Sequence, residues 1–315
     1  MLTLGIKHFA LTISAAALIL AGCGGPQPPI GAPGAMTASS ISGRSHNTYD
    51  VTHPLLYVVN FILWTVTVYD ANASDPAPIA TISQGLNWPG GDCIDSHGTL
   101  YVTNQPNNGY GWVSEYPLGV TKPSRIIRKG MDIPAYCAID SNSNLWVTNL
   151  GGANVTEYLY GSKTPHTVIT SGVPHPVGVA IDRSGNLYVA NRLTASNVVV
   201  YAPGSTKPSR TITDGVTSPV AIAIDSNGVL YVANINEANV EEYQPGGYQP
   251  FKTITQGLVT PGAVTVNKKG WLYVANIEQD NVLEYRPGSI MPSKRQVTNG
   301  VRAPGGLAIY PAVLP

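Results

Sequence analysis

The 315-residue chain is poor in charge: 11% of its residues are charged, and 18 basic residues face 18 acidic ones. A neutral balance supplies no long-range field to recruit nucleic acid, so that partner class is not expected. Histidine (6), cysteine (3) and phenylalanine (3) are scarce. The sequence has no G-x-S-x-G, no zinc-type Cys/His spacing and no phosphate loop. The histidines His53, His97, His166 and His175 share neither a cluster nor a repeat phase. A long hydrophobic run is missing too: the apolar stretch from Phe9 to Leu20 is too short to span a bilayer.

Glycine (33), proline (26) and tyrosine (17) are abundant instead. Many turns joined by β-branched and tyrosine-rich runs predict an all-β protein. The apolar run after Lys7 and His8 has the form of a signal-peptide h-region. It ends in Leu20-Ala21-Gly22-Cys23, which resembles the bacterial lipobox. The resemblance implies cleavage after residue 22 and a lipidated N-terminus at Cys23. Several acyl chains at ~0.8 kcal/mol per buried CH₂ give stable anchoring. A lipid-anchored cell-envelope address follows, with Gly24 favouring the outer membrane in a Gram-negative cell. Residues 23–50 are rich in proline, glycine and serine and read as a flexible tether.

Residues 51–315 repeat. "LLYVVN", "TLYVTN", "NLWVTN", "NLYVAN", "VLYVAN" and "WLYVAN" end at Asn60, Asn104, Asn149, Asn191, Asn234 and Asn276, spaced by 42 to 45 residues. That period predicts blades of four strands. In "LYVAN" both alternating sets, Leu187 with Val189 and Tyr188 with Ala190, are apolar, so both faces must be covered. D-x-x-G turns recur at Asp95–Gly98, Asp182–Gly185 and Asp225–Gly228, with Asn267–Gly270 as a variant. Fourth strands are read as carrying Arg125, Arg128, Arg210, Lys252 and Arg295. Charge on an outer edge protects against edge pairing; a basic docking rim is the alternative. The first unit lacks an inner strand and the C-terminal "GLAIYP" is an inner strand with nothing after it. Joining them predicts a six-bladed propeller, closed as a monomer by its C-terminal strand.

The pattern G-x-L-Y-V-A-N followed by N-V-x-x-Y-x-P-G resembles the NHL repeat over nearly all of 51–315. It departs in ending the second strand on asparagine and in lacking an arginine at the start of the third. Gluconolactonase-type relatives imply a divalent metal held by side chains after the inner-strand prolines. Here those positions are Gly90, Ala135, Val177, Val220, Gly262 and Gly305, none with an oxygen donor. A slip of register would bring Asp92, two residues after Gly90, or Asp132, three before Ala135, into play. No metal and no cofactor are therefore expected. NHL-type lyases imply a histidine at the channel mouth, for which His175 is the candidate.

Trp88, Tyr136 and His175 are read as preceding the inner strands of three consecutive blades. With Asn104, Asn149 and Asn191 they form the candidate ligand site, suited to a protein, peptide or glycan. The asparagines have a second reading as strand caps. Cys93 and Cys137, one repeat apart, are a candidate disulfide or two buried thiols. The reading is a non-catalytic binding or scaffolding module, with a lactonase-like hydrolase or NHL-type lyase as the alternative.

Overall fold

The computed structural model describes residues 47–106 and 110–312. The signal segment, Cys23 and the tether up to residue 46 lie outside these residues. Every repeat forms an antiparallel sheet of four strands, and there are six such sheets among the described residues. Each inner strand opens on proline: Pro89–Ile94, Pro134–Ile139, Pro176–Ile181, Pro219–Ile224, Pro261–Val266 and Pro304–Tyr310. These strands neighbour one another in a closed circle. The last of them pairs with Leu55–Asn60, so the two ends of the repeat region build one blade between them. The chain is a six-bladed β-propeller. That shared blade is blade 1, and blades 2 to 6 follow in chain order.

The core is divided among the blade interfaces. Six apolar clusters occur, each joining two adjacent blades. Leu187 and Val189 enter the cluster between blades 3 and 4, and Tyr188 and Ala190 the one between blades 4 and 5. The alternation read from "LYVAN" therefore serves two neighbours at once. Cys93 and Cys137 are joined as a disulfide with Cα atoms 5.6 Å apart, linking the inner strands of blades 2 and 3.

The ring begins earlier than residue 51. Residues 47–50, assigned from composition to the tether, lie on a loop of blade 2: Tyr49 N donates to Gly119 O (2.8 Å) and Thr48 bridges Val120. The Tyr49 and Tyr57 hydroxyls meet at 3.0 Å. Polar composition hid this segment, because its hold on the ring is mostly main-chain.

One contact repeats in every blade. The third strand ends on a buried tyrosine whose hydroxyl donates to a main-chain carbonyl in the loop that leads to that blade's inner strand. The pairs are Tyr69–Asn299, Tyr116–Gln84, Tyr158–Lys129, Tyr201–Ser171, Tyr243–Asp214 and Tyr285–Gln256, at 2.6 to 2.7 Å. The next residue is glycine with φ of +70° to +82°, as at Gly172 and Gly215. A Cβ on Gly172 would come 2.6 Å from Pro208 and 3.1 Å from the Tyr201 hydroxyl. Burial pushes the Tyr201 hydroxyl pKa up to about 12, so it stays a donor at neutral pH. Replacing Tyr201 by Phe keeps the ring and orphans the Ser171 carbonyl. Water can reach that carbonyl, Ser171 being exposed, so the expected loss is about 0.5–1.5 kcal/mol in urea unfolding, with the denaturant slope unchanged.

Candidate functional site

Two sets of loops share one face of the ring: those entering each inner strand and those joining second to third strands. A main-chain bond lays them together in every blade, such as Gln105 N to Trp88 O (3.0 Å) and Arg192 N to His175 O (3.0 Å). The asparagines at the ends of the second strands stand behind this bond. Asn60, Asn104, Asn149, Asn191, Asn234 and Asn276 are fully buried. Five of them accept a loop N–H on Oδ1, as Asn104 does from Asn87 (2.8 Å) and Asn149 from Asp132 (3.1 Å). Their amide groups donate inward, Asn104 to the Val102 carbonyl and Asn149 to Asn154 and Thr156. Asn104, Asn149 and Asn191 therefore cap loops, and their polar atoms face the protein.

Asn191 is the exception that explains the rule. Its Oδ1 has no partner. In the sister blades the donor stands 17 residues upstream, and at that spacing from Asn191 the chain has Pro174, which lacks an N–H.

The other three candidates are anchored to different neighbours. Trp88, at φ +52°, packs edge-on against Phe61 (5.5 Å) and near Trp64 (6.3 Å). Tyr136 lies across the axis, its hydroxyl 2.6 Å from both the Gly262 and Gly305 carbonyls of blades 6 and 1. It plugs the ring; a Cβ on Gly91 would come 2.5 Å from its ring. Burial pushes its hydroxyl pKa upward, and Arg192 opposes that shift. His175 sits at the rim of blade 4 with Nδ1 3.1 Å from the Thr194 hydroxyl.

Sequence reasoning missed one feature and set a second aside. The first is "FILW" in blade 1, where the corresponding loops read "LGGA", "INEA" and "IEQD". Ile62, Leu63 and Trp64 are 54%, 50% and 45% exposed. Together with Phe61 and Trp88 they form an apolar, aromatic surface over blades 1 and 2. The signal was available: apolar residues at all four positions of a turn whose last three are small or polar in those blades.

The second is Asp92. Its register partner Val102 matches those of Cys137, Val179, Ile222, Val264 and Leu307 in the sister blades, so an acid fills an apolar position. Both carboxylate oxygens are buried without a hydrogen-bond partner. Asp92 and Tyr136 line an axial cavity of about 140 Å³ whose remaining walls are largely apolar. Burial pushes the Asp92 carboxyl well above its ordinary 3.8. Among the described residues, no group of three or more His, Cys, Asp or Glu side chains is arranged to hold a metal ion.

No family model matches the chain, and no curated protein does. Solved structures match by fold. A chain of the nidogen/laminin complex superposes with TM-score 0.70 at 17% identity, over 81% of this chain and 98% of that one. A Bacteroides caccae protein of unknown function gives 0.65 at 12%, over 82% and 99%. Kuenenia stuttgartiensis hydrazine synthase gives 0.58 at 15%, over 79% and 99%. At these identities the likeness is one of fold.

Asp92 makes a signed prediction. Well below pH 3.8 folded and unfolded chains both hold this proton. Above it the unfolded chain releases a proton that the folded chain keeps, so this group's contribution to stability falls as pH rises through the raised folded pKa. Asp92→Val restores the residue type of the sister blades. It is expected to raise the unfolding free energy at pH 7 by about 1–3 kcal/mol, read as a higher urea midpoint, and to flatten the pH profile. An unchanged midpoint would mean that the carboxyl is solvated.

Proposed function

We propose that the protein is an NHL-type binding module, anchored in the cell envelope through lipid on Cys23, that docks a protein partner on its loop face. The observation that carries this reading is the exposed stretch Ile62–Trp64 beside Trp88. Large apolar side chains half in water gain about 0.8–1.5 kcal/mol each on full burial, half the value for a fully exposed one. Aromatic anchors at the centre of a patch are the residues that dominate protein–protein affinity. The ring does not need them: Ala153, Ser196, Ala238 and Asp280 hold the same left-handed turn position as Trp64. Tryptophan in that conformation costs energy without a packing return inside the blade. A fold neighbour from the nidogen/laminin complex is consistent with a propeller serving protein docking.

A photo-reactive amino acid at Leu63, in the full-length protein in its own cells, is expected to give one discrete cross-linked adduct. The same group at Ser184, in a turn on the opposite face, should not. Ile62→Ser with Trp64→Ser should suppress the adduct while leaving the unfolding midpoint within about 0.5 kcal/mol, as surface changes do. No adduct, or equal adducts from both faces, would sink the docking reading. The anchor is tested separately. Cys23→Ser is expected to move the protein from the membrane to the soluble fraction and to remove the acyl mass from its N-terminal peptide. Continued membrane retention without acylation would overturn it.

A further inference from the structure

Blade 6 differs from its sisters on the face opposite those loops. The turn between its first two strands is Asn267-Lys268-Lys269-Gly270, where blades 2 to 5 begin with Asp95, Asp140, Asp182 and Asp225. Asn267 Oδ1 keeps the aspartate's structural role, accepting from Lys269 N (2.9 Å) and Trp271 N (3.0 Å). The geometry is conserved across the ring while one negative charge is lost and two positive ones are gained. The third strand of blade 6 leads into Arg286, whose guanidinium lies 5.6 Å from the Trp271 ring. Its fourth strand, Pro292–Val297, is irregularly paired and carries Lys294 and Arg295. Arg295 also donates to the Asn72 carbonyl of blade 1.

These groups line a groove of about 690 Å³ between blades 6 and 1. That volume lies in the range of small-ligand sites, about 300–1,000 Å³. Lys269, Arg286, Lys294 and Arg295 face one carboxylate in it, Glu284. Glu284 is buried and already engaged by Arg295 (3.6 Å) and the Tyr273 hydroxyl (3.0 Å). Among the described residues no carboxylate pairs with Lys269, Arg286 or Lys294. The groove thus holds three cations in surplus around a half-buried indole.

We propose that this groove binds an acidic oligosaccharide, with uronate carboxylates at Lys269, Arg286 and Lys294 and a pyranose ring against Trp271. The neutral side chains of the groove decide between sugar and peptide. Asn267, Ser289 and Ser293 are already bonded within the protein. An acidic peptide would leave main-chain amides unpaired against such a wall, at a desolvation cost. A pyranose presents an apolar face to the indole and keeps its hydroxyls toward the open side. This site is separate from the aromatic loop face and stands or falls without it.

The test is calorimetric titration of the detergent-solubilised full-length protein with trigalacturonate. Galactotriose and a hexa-aspartate peptide are the comparison ligands. Trigalacturonate is expected to bind and galactotriose to bind at least about tenfold more weakly, the worth of two or three exposed charge contacts. Lys269→Ser with Lys294→Ser should weaken trigalacturonate by about tenfold, and added salt should weaken it in the parent protein. Both lysines are exposed, so the double variant should unfold as the parent does. Ile62→Ser with Trp64→Ser should leave this binding unchanged. No trigalacturonate binding, or a hexa-aspartate affinity equal to it, would overturn the proposal.

Discussion

Six tyrosine hydroxyls, each held to a loop carbonyl, are the constraint on which this ring depends. A propeller must carry the chain from the outer edge of one blade to the axis of the next. That crossover exposes main-chain carbonyls at the place where blades pack. Each of these bonds contributes about 0.5–1.5 kcal/mol net, and six of them together amount to a sizeable part of a domain's stability. The tyrosine answers this with one side chain that fills the interface and donates at its tip. Phenylalanine would fill the same space and donate nothing, which accounts for six of the 17 tyrosines. The glycine beside each carbonyl follows from the same contact, because proline and hydroxyl occupy the space a Cβ would take.

A scaffold held this way tolerates exceptions. Pro174 strips Asn191 of its loop donor, yet Asn191 still donates to the Gly172 carbonyl and to Asn197. Asp92 occupies an apolar position, yet the strands on either side of it pair as in the other blades. Trp64 and Trp88 sit at left-handed positions that sister blades fill with smaller or less aromatic residues. Each departure is local because every blade is pinned at several independent points. The loops can diverge for recognition while the strands keep the frame.

The blade count, the closure by Pro304–Tyr310 and the two-faced burial of "LYVAN" were legible because they are properties of the repeat. The candidate site was less legible, for a specific reason. Every inner strand carries a register irregularity just after its proline, as between Pro89 and Asp92 or Pro134 and Cys137. Counting faces from the proline therefore misjudges which side chains meet the axis. Tyr136, read at the channel mouth, instead spans the ring. Asp92, set aside by that register, lines the axial cavity. The asparagines recur in all blades, and recurrence marks what the ring needs; the unrepeated "FILW" and "NKKG" are where blades part company.

Charge balance shows the same distinction between sum and arrangement. Equal numbers of acids and bases leave the chain with no net field, and at physiological salt any field fades within about 8 Å. Charges farther apart than that act almost independently on their surroundings. On blade 6 the carboxylate side is already spent, Glu284 being inside with Arg295 and Tyr273, while the lysines stand outside. The loop face over blades 1 and 2 presents aromatic and aliphatic surface. Neutrality is thus compatible with two chemically opposed faces, because burying one partner of an ion pair leaves its uncompensated neighbours to define what a ligand meets.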